Sequence, residues 1–113
     1  TERKLRAIAI TNRVHCFDAP VSGGTIGAKN GTLTFMFGGS RKGLEDIEPI
    51  LLTMGKRIIH CGDVGSGQVA KLCNNMILGG STAILAEAIH LAESQGLDPL
   101  EFMKVVNVST GRS

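Results

Sequence analysis

A glycine-rich turn followed by a long apolar run is the feature that most constrains the fold of this chain. The turn begins at Gly65-Ser66-Gly67, and the residues after it are almost all apolar or small as far as Leu91. A run of this length predicts one long helix over residues 69–94 that is buried on most of its sides. We expect this helix to end near Gly96, because glycine commonly terminates helices.

Two polar residues lie on the apolar surface of this predicted helix. Lys71 and Asn75 are four residues apart, which places them on the same helix face, one turn from each other. A lysine is almost never buried without a partner, so a cation beside an amide indicates a polar site. The alternative is structural: Lys71 extends its amine to water while Asn75 caps a backbone group. The spacing alone leaves both interpretations open.

Composition restricts the class of protein. The chain has 113 residues, of which 42% are hydrophobic and 19% charged, as expected for a globular domain. Its net charge of +2 and its lack of a large Lys/Arg cluster argue against nucleic-acid binding. The long apolar run is broken by Gly79-Gly80-Ser81-Thr82 and contains Glu87 and His90. These residues argue against a membrane-spanning helix.

Cysteine usage indicates a reducing compartment and does not predict a metal site. Cys16, Cys61 and Cys73 are far apart and have apolar neighbours, and an odd count of this kind is typical of reduced, buried thiols. The pairs His15-Cys16 and His60-Cys61 resemble each other. Zinc ligands usually occur at short, regular spacings, however, so we expect no metal site here.

The first half of the chain alternates short strands with helices, and the second half is helical throughout. The expected elements are a helix over 1–12; strands over 14–17, 32–37 and 57–61; and a loop over 22–24 followed by irregular chain as far as Thr32. Between the second and third strands we expect a helix that Ser40 caps, that Pro49 kinks or splits, and that Gly55 ends. Asp98-Pro99 predicts the start of a last helix. This change of character predicts a domain boundary, with an α/β part over 1–63 and an all-helical part over 64–113.

Three segments, taken in their order along the chain, resemble the β-hydroxyacid dehydrogenases. They are Asp18-Ala19-Pro20-Val21-Ser22-Gly23-Gly24, Gly31-Thr32-Leu33-Thr34-Phe35-Met36, and the run from Gly65 to Asn75. The resemblance implies an enzyme with a Rossmann-type dinucleotide-binding α/β domain followed by an all-helical domain. Residues 1–63 would be the end of the first domain and residues 64–113 the first helices of the second.

The resemblance also implies roles for individual residues. Ser22, Gly23 and Gly24 match the substrate-binding loop of the family, Lys71 matches its catalytic lysine, a general acid and base, and Asn75 matches its active-site asparagine. NAD is the implied cofactor, and NADP is the alternative. The G-x-G-x-x-G fingerprint of dinucleotide binding does not occur in the 113 residues, so we assign no cofactor-binding residue. We therefore expect these residues alone not to bind a dinucleotide tightly.

Within the family, residues 71–76 and 108–113 resemble the branch that acts on 3-hydroxyisobutyrate. The implied reaction is NAD-dependent oxidation of this acid to methylmalonate semialdehyde, a step of valine catabolism. One alternative is reduction of 2-hydroxy-3-oxopropionate, and another is a truncated, non-catalytic helical interaction module. The chain begins without methionine inside a predicted helix, so we expect an internal fragment. The resemblance implies that the complete enzyme is a homo-oligomer. The family implies a mitochondrial location in a eukaryote and a cytoplasmic one in a bacterium.

Overall fold

The structure is a computed structural model, and it describes residues 1–11 and 15–112. The chain divides into two compact units, Thr1–Cys73 and Asn74–Ser113. The elements, in chain order, are α1 (Glu2–Thr11), β1 (Val21–Ser22), α2 (Gly24–Asn30), β2 (Leu33–Gly38), α3 (Arg41–Leu51), β3 (Gly55–Gly62), α4 (Ser66–Ser94) and α5 (Pro99–Val108). The predicted order of an α/β part followed by helices alone is confirmed.

The sheet of the first unit is organised around β2. Among the described residues its strand order is β1-β2-β3, with β1 antiparallel and β3 parallel to β2. The β-branched and aromatic residues of β2 favour a strand, as predicted. Leu33, Phe35 and Phe37 from β2 form the core together with Leu51 of α3, and Phe37 is fully buried. This core fixes β2, to which the chain segment before α2 is hydrogen-bonded.

The helix between β2 and β3 begins as predicted but ends differently. The Ser40 side chain accepts a hydrogen bond of 3.0 Å from the Gly43 backbone N–H, which confirms the predicted cap. Pro49 lies inside α3 and does not split it. Gly55 does not end this helix; it is the first residue of β3. A Cβ atom there would lie 2.5 Å from the carbonyl oxygen of Leu33, so glycine is needed for close strand packing.

Two predictions for the segment before β2 were wrong. The described part of the first predicted strand, residues 15–17, forms no strand, while Val14 and Asn12 lie outside the described residues. Asp18, directly after these residues, forms an isolated antiparallel bridge with Gly38. Residues 24–30 are helical rather than irregular, because buried Gly27 lets α2 pack closely on β2.

Helix α4 has the predicted length but not the predicted burial. It runs from Ser66 to Ser94, and Gly96 follows with a φ of 86°. Its buried residue is Gly67, whereas large apolar side chains along its length are exposed, among them Val69, Leu72, Met76, Ile77, Leu78, Ile84 and Leu91. Apolar composition leads to burial only where other surfaces cover the helix, and the part of the chain that the structure describes leaves these side chains exposed. By length and composition alone α4 could cross a membrane, a test that core helices of soluble proteins also pass.

The predicted start of the last helix at Asp98 is confirmed, whereas the prediction that all three thiols are buried is wrong. Asp98 accepts a hydrogen bond of 2.8 Å from the Leu100 N–H at the start of α5. All three cysteines are free, but Cys73 is exposed and Cys16 and Cys61 are half-buried. Cys73 is not buried because it lies on the uncovered surface of α4.

Candidate active site

The amine of Lys71 is bound to the strand that leads into the predicted substrate loop. Lys71 is half-buried on α4, and its Nζ donates a hydrogen bond of 2.6 Å to the carbonyl oxygen of Val21. Val21 directly precedes Ser22 in β1, and β1 is held by its pairing with β2. The structure therefore brings Lys71 to the chain segment that carries Ser22, Gly23 and Gly24.

The backbone of this loop has a conformation that requires glycine. Ser22 is half-buried at the end of β1, opposite Thr34. Gly23 and Gly24 have φ values of 132° and 62°, which side chains disfavour, and both are exposed. A Cβ atom on Gly23 would also lie 3.2 Å from the Leu33 side chain. The predicted loop over 22–24 is shorter than expected, because Ser22 ends β1 and Gly24 begins α2, and only Gly23 lies between them. The segment 22–24 places exposed glycine backbone next to a serine side chain.

Asn75, the remaining predicted site residue, belongs to the second unit. It lies on α4 and its side chain is exposed. The role that the family resemblance implies for Asn75 stays a prediction.

Asp18 is a buried residue of this region that sequence reasoning missed. Its exposed fraction is 6%. Its Oδ1 accepts a hydrogen bond of 2.6 Å from the Gly65 N–H, and its Oδ2 accepts one of 2.8 Å from the Gln68 N–H. A carboxylate at a helix N-terminus is favoured by the free N–H groups and by the helix dipole. The available signal was a single acid among apolar neighbours, which needs hydrogen-bond donors if it is buried.

Two glycines let α4 begin directly against Asp18 and β2. A Cβ atom on Gly67 would overlap the carbonyl oxygen of Met36 and lie 2.7 Å from Oδ2 of Asp18. A Cβ atom on Gly38 would overlap Oδ1 of the same carboxylate. Gly38 at the end of β2 and Gly67 in the first turn of α4 are therefore needed for close packing around a buried carboxylate.

Cys61 lies near this carboxylate but is poorly suited to nucleophilic chemistry. Burial raises the pKa of the Cys61 thiol, and the negative charge of Asp18 raises this pKa further. The thiol donates a hydrogen bond of 3.6 Å to the carbonyl oxygen of Ile59. Since the thiolate is the nucleophilic form, a raised pKa lowers the reactivity of Cys61.

The described residues form neither a metal site nor a free pyrophosphate site. Within residues 1–11 and 15–112, no group of three His, Cys, Asp or Glu side chains could hold a metal ion. Gly65, Gly67 and Ala70 have the G-x-G-x-x-A spacing of a dinucleotide-binding turn. The N–H groups of Gly65 and Gln68 are bound to Asp18, however, so this helix start does not fit a pyrophosphate. A cavity of about 320 Å³ lies between α4 and α5, and none of the predicted site residues lines it.

Two family models match the chain. The NAD binding domain of 6-phosphogluconate dehydrogenase matches residues 1–62, and the NAD-binding region of NADP-dependent 3-hydroxyisobutyrate dehydrogenase matches residues 65–113. Both describe NAD-binding regions, in agreement with the expected nicotinamide cofactor.

Individual proteins resemble the chain over nearly its whole length. A probable mitochondrial 3-hydroxyisobutyrate dehydrogenase from Dictyostelium discoideum is 48% identical, over 99% of this chain and 35% of its own length. A 2-(hydroxymethyl)glutarate dehydrogenase from Eubacterium barkeri is 44% identical, over 97% of this chain and 36% of its own.

A solved structure shows the same similarity. The 3-hydroxyisobutyrate dehydrogenase of Mycobacterium tuberculosis, studied with L-serine, superposes with a TM-score of 0.91 at 43% identity, covering 99% of this chain and 38% of that one. The chain thus spans about a third of the length of the curated relatives it matches. On these matches, the chain belongs to the 3-hydroxyisobutyrate dehydrogenase family of NAD(P)-binding oxidoreductases.

Proposed function

We propose that this chain forms the substrate-binding and proton-transfer part of an enzyme that oxidises 3-hydroxyisobutyrate to methylmalonate semialdehyde with NAD. The observation that carries the proposal is the hydrogen bond between Lys71 and Val21, one residue before the Ser22-Gly23-Gly24 loop. A proton-transfer group and a candidate carboxylate-binding loop then lie on adjacent parts of the first unit.

The loop is proposed to bind the carboxylate of the substrate. The Ser22 hydroxyl and the backbone N–H groups of Gly23 and Gly24 are donors of the kind that bind small anions. Both glycines are exposed, and because they have no side chain their backbone N–H groups are not covered by one. Their positive φ values explain why glycine is favoured at both positions. Fixing the carboxylate would orient the alcohol end of a short hydroxy acid in the same way at each turnover.

Lys71 is proposed to move the hydroxyl proton. When bound, the nicotinamide cofactor would supply the redox chemistry by accepting hydride from the alcohol carbon. In this direction the neutral Lys71 amine accepts the proton of the hydroxyl group, and in the reverse direction the ammonium returns it. The proposed role of Asn75 is to hydrogen-bond the substrate through its side-chain amide.

The proposed domain boundary lies near residue 63. Residues 1–63 would end the dinucleotide-binding α/β domain, and residues 64–113 would begin the all-helical domain. Support comes from the two family models, which match residues 1–62 and 65–113. The proposed compartment is the mitochondrion if the source organism is a eukaryote and the cytoplasm if it is a bacterium.

The decisive experiment measures substrate and cofactor preference. The longest reading frame that contains this sequence would be expressed and assayed with 3-hydroxyisobutyrate, 2-hydroxy-3-oxopropionate and 2-(hydroxymethyl)glutarate, each with the NAD and NADP couples. We expect the highest kcat/KM for 3-hydroxyisobutyrate with NAD. A higher kcat/KM for either other acid would replace the proposed substrate, and no turnover with any acid would contradict the enzyme assignment.

A non-catalytic helical interaction module is the second candidate. The observation in its favour is the exposed apolar surface of α4, which would need a partner to cover it. The same expressed protein separates the two candidates, because a module of this kind would show no dehydrogenase activity with any acid or cofactor.

A further inference from the structure

We propose that Asp18 is a positioning residue that sets where Lys71 lies relative to the substrate loop. The inference rests on the proposed function of Lys71 and concerns a residue that takes no part in proton transfer itself. It follows from how one short segment, residues 18–24, is bound to α4 at two points.

The first point of attachment is the carboxylate of Asp18. It is 6% exposed and accepts hydrogen bonds from the N–H groups of Gly65 and Gln68, at 2.6 Å and 2.8 Å. These donors lie immediately before α4 and in its first turn. Hydrogen bonds to a charged acceptor are roughly twice as strong as neutral ones, so the first turn of α4 is firmly held.

The second point of attachment is the amine of Lys71. It donates to the carbonyl oxygen of Val21, three residues after Asp18. Gln68 and Lys71 are likewise three residues apart on α4, a spacing that places them on neighbouring helix turns. The two attachments therefore lie close together, and loss of the Asp18 hydrogen bonds would release the first turn of α4, which carries Lys71 one turn further on.

The loop itself does not depend on the Asp18 side chain. The backbone of Asp18 exchanges hydrogen bonds of 2.9 Å and 2.8 Å with Gly38. The carbonyl oxygen of Pro20 accepts from the Met36 N–H at 2.8 Å, and Ser22 pairs with Thr34. A change in the carboxylate should therefore displace Lys71 while the substrate loop stays on β2.

This asymmetry predicts a separation between kcat and KM. Asp18→Asn keeps the shape of the side chain but exchanges one acceptor oxygen for a donor, which meets an N–H group of α4. In the full-length enzyme we expect kcat to fall at least about 10-fold, because a displaced group loses proton-transfer efficiency. The KM of the hydroxy acid should change less than about 3-fold. Asp18→Ala, which removes both acceptors, should lower kcat further.

Two controls separate positioning from loss of stability. Leu51→Ala removes a core side chain from α3 and should lower the melting temperature with little change in kcat. The melting temperature of Asp18→Asn is the second control, because a loss of kcat larger than that of Leu51→Ala at an equal or smaller loss of melting temperature reflects positioning and not destabilisation. If Asp18→Asn does not fold, Asp18→Ser is judged by the same comparison of kcat with KM.

The outcomes distinguish this proposal from the function on which it rests. If kcat of Asp18→Asn stays within about twofold of wild type while Lys71→Ala loses turnover, positioning by Asp18 is wrong and the proposed function stands. If KM rises as much as kcat falls, Asp18 supports the loop instead and the proposal is again wrong. If Lys71→Ala keeps normal turnover, both proposals fail together.

Discussion

The amine of Lys71 on α4 donates a hydrogen bond to the carbonyl oxygen of Val21 on β1, at 2.6 Å and across 50 residues of sequence. The bond uses one of the three donors of an ammonium group and leaves the others available to a ligand. It also connects the start of the long helix with the chain segment that enters the Ser22-Gly23-Gly24 loop. The proposed chemistry depends on this connection.

Replacement of Lys71 by alanine should lower turnover much more than substrate affinity. A general acid and base typically contributes about 10²–10⁴-fold, so we expect kcat of Lys71→Ala to fall by that factor. Lys71→Arg should be almost as slow, because arginine keeps the charge but does not release a proton near neutral pH. Steady-state kinetics on the full-length protein would measure both variants. Lys42→Ala, on the exposed start of α3, is the control, and near-normal kcat in Lys71→Ala would remove Lys71 from the mechanism.

Loss of the Ser22 hydroxyl should weaken substrate binding more than it slows the reaction. In Ser22→Ala the carboxylate loses one hydrogen bond, which we expect to raise KM by roughly 3- to 10-fold with a smaller change in kcat. Thr53→Ala, which removes an exposed hydroxyl that bonds only to Ile50 among the described contacts, provides the control. An unchanged KM in Ser22→Ala would exclude its hydroxyl from the site.

Asn75 and its neighbour Asn74 offer a matched pair of substitutions. Both are exposed on α4, but consecutive helix residues point about 100° apart, so only one of them can share the face of Lys71. We expect Asn75→Ala to lower kcat/KM by roughly 10-fold, the worth of one hydrogen bond, and Asn74→Ala to have little effect. The same kinetic assay would test both, and an equal effect of the two substitutions would contradict the assignment of Asn75.

Local sequence signals predicted the elements that depend on local physics. Strand β2 was predicted from its β-branched and aromatic residues. The starts of α3 and α5 were predicted from the capping side chains of Ser40 and Asp98. The family resemblance predicted Lys71 and Ser22 as site residues, and the structure places the Lys71 amine at Val21, the residue before Ser22. Their roles stay a prediction.

Features set by distant contacts could not be read from the sequence. Asp18 binds backbone groups 47 and 50 residues away, and no local pattern reveals that pairing. The glycines of α2 have poor helix propensity, yet the close approach of Gly27 to Leu33 allows a helix there. The burial of α4 was wrongly predicted because an apolar sequence does not show which surfaces cover it.

The raised pKa of Cys61 should make the folded protein less stable at alkaline pH. Burial, followed by the negative charge of Asp18, raises this pKa above that of an ordinary thiol. As pH rises from the ordinary thiol pKa of about 8.5 towards the raised value, the unfolded chain loses a proton that the folded chain keeps. The free energy of unfolding must then fall with rising pH.

Urea unfolding between about pH 8 and pH 10 would measure this fall, and Cys61→Ala should make it shallower. Cys73→Ala is the control for loss of a thiol, because Cys73 is exposed on α4. An identical pH dependence in Cys61→Ala and wild type would show that this thiol does not contribute.

Alanine at two glycines of α4 should change stability in opposite directions. A Cβ on Gly67 would overlap the carbonyl oxygen of Met36, so Gly67→Ala should cost about 1–3 kcal/mol of unfolding free energy and displace the start of the helix. Among residues 1–11 and 15–112, nothing lies within 4 Å of the Cβ position of Gly79. Gly79→Ala should therefore stabilise the 113-residue chain by about 0.5–1 kcal/mol, through helix propensity.

Thermal and urea unfolding of both variants would test this pair on the 113-residue chain. Because Gly67 also touches Asp18, Gly67→Ala in the full-length enzyme should reduce kcat as Asp18→Asn does, whereas Gly79→Ala is not expected to act through Lys71. A Gly67→Ala variant as stable and as active as wild type would mean that α4 does not need close contact with β2 to hold Lys71. Destabilisation of the 113-residue chain by Gly79→Ala would show instead that a close packing contact exists at that position.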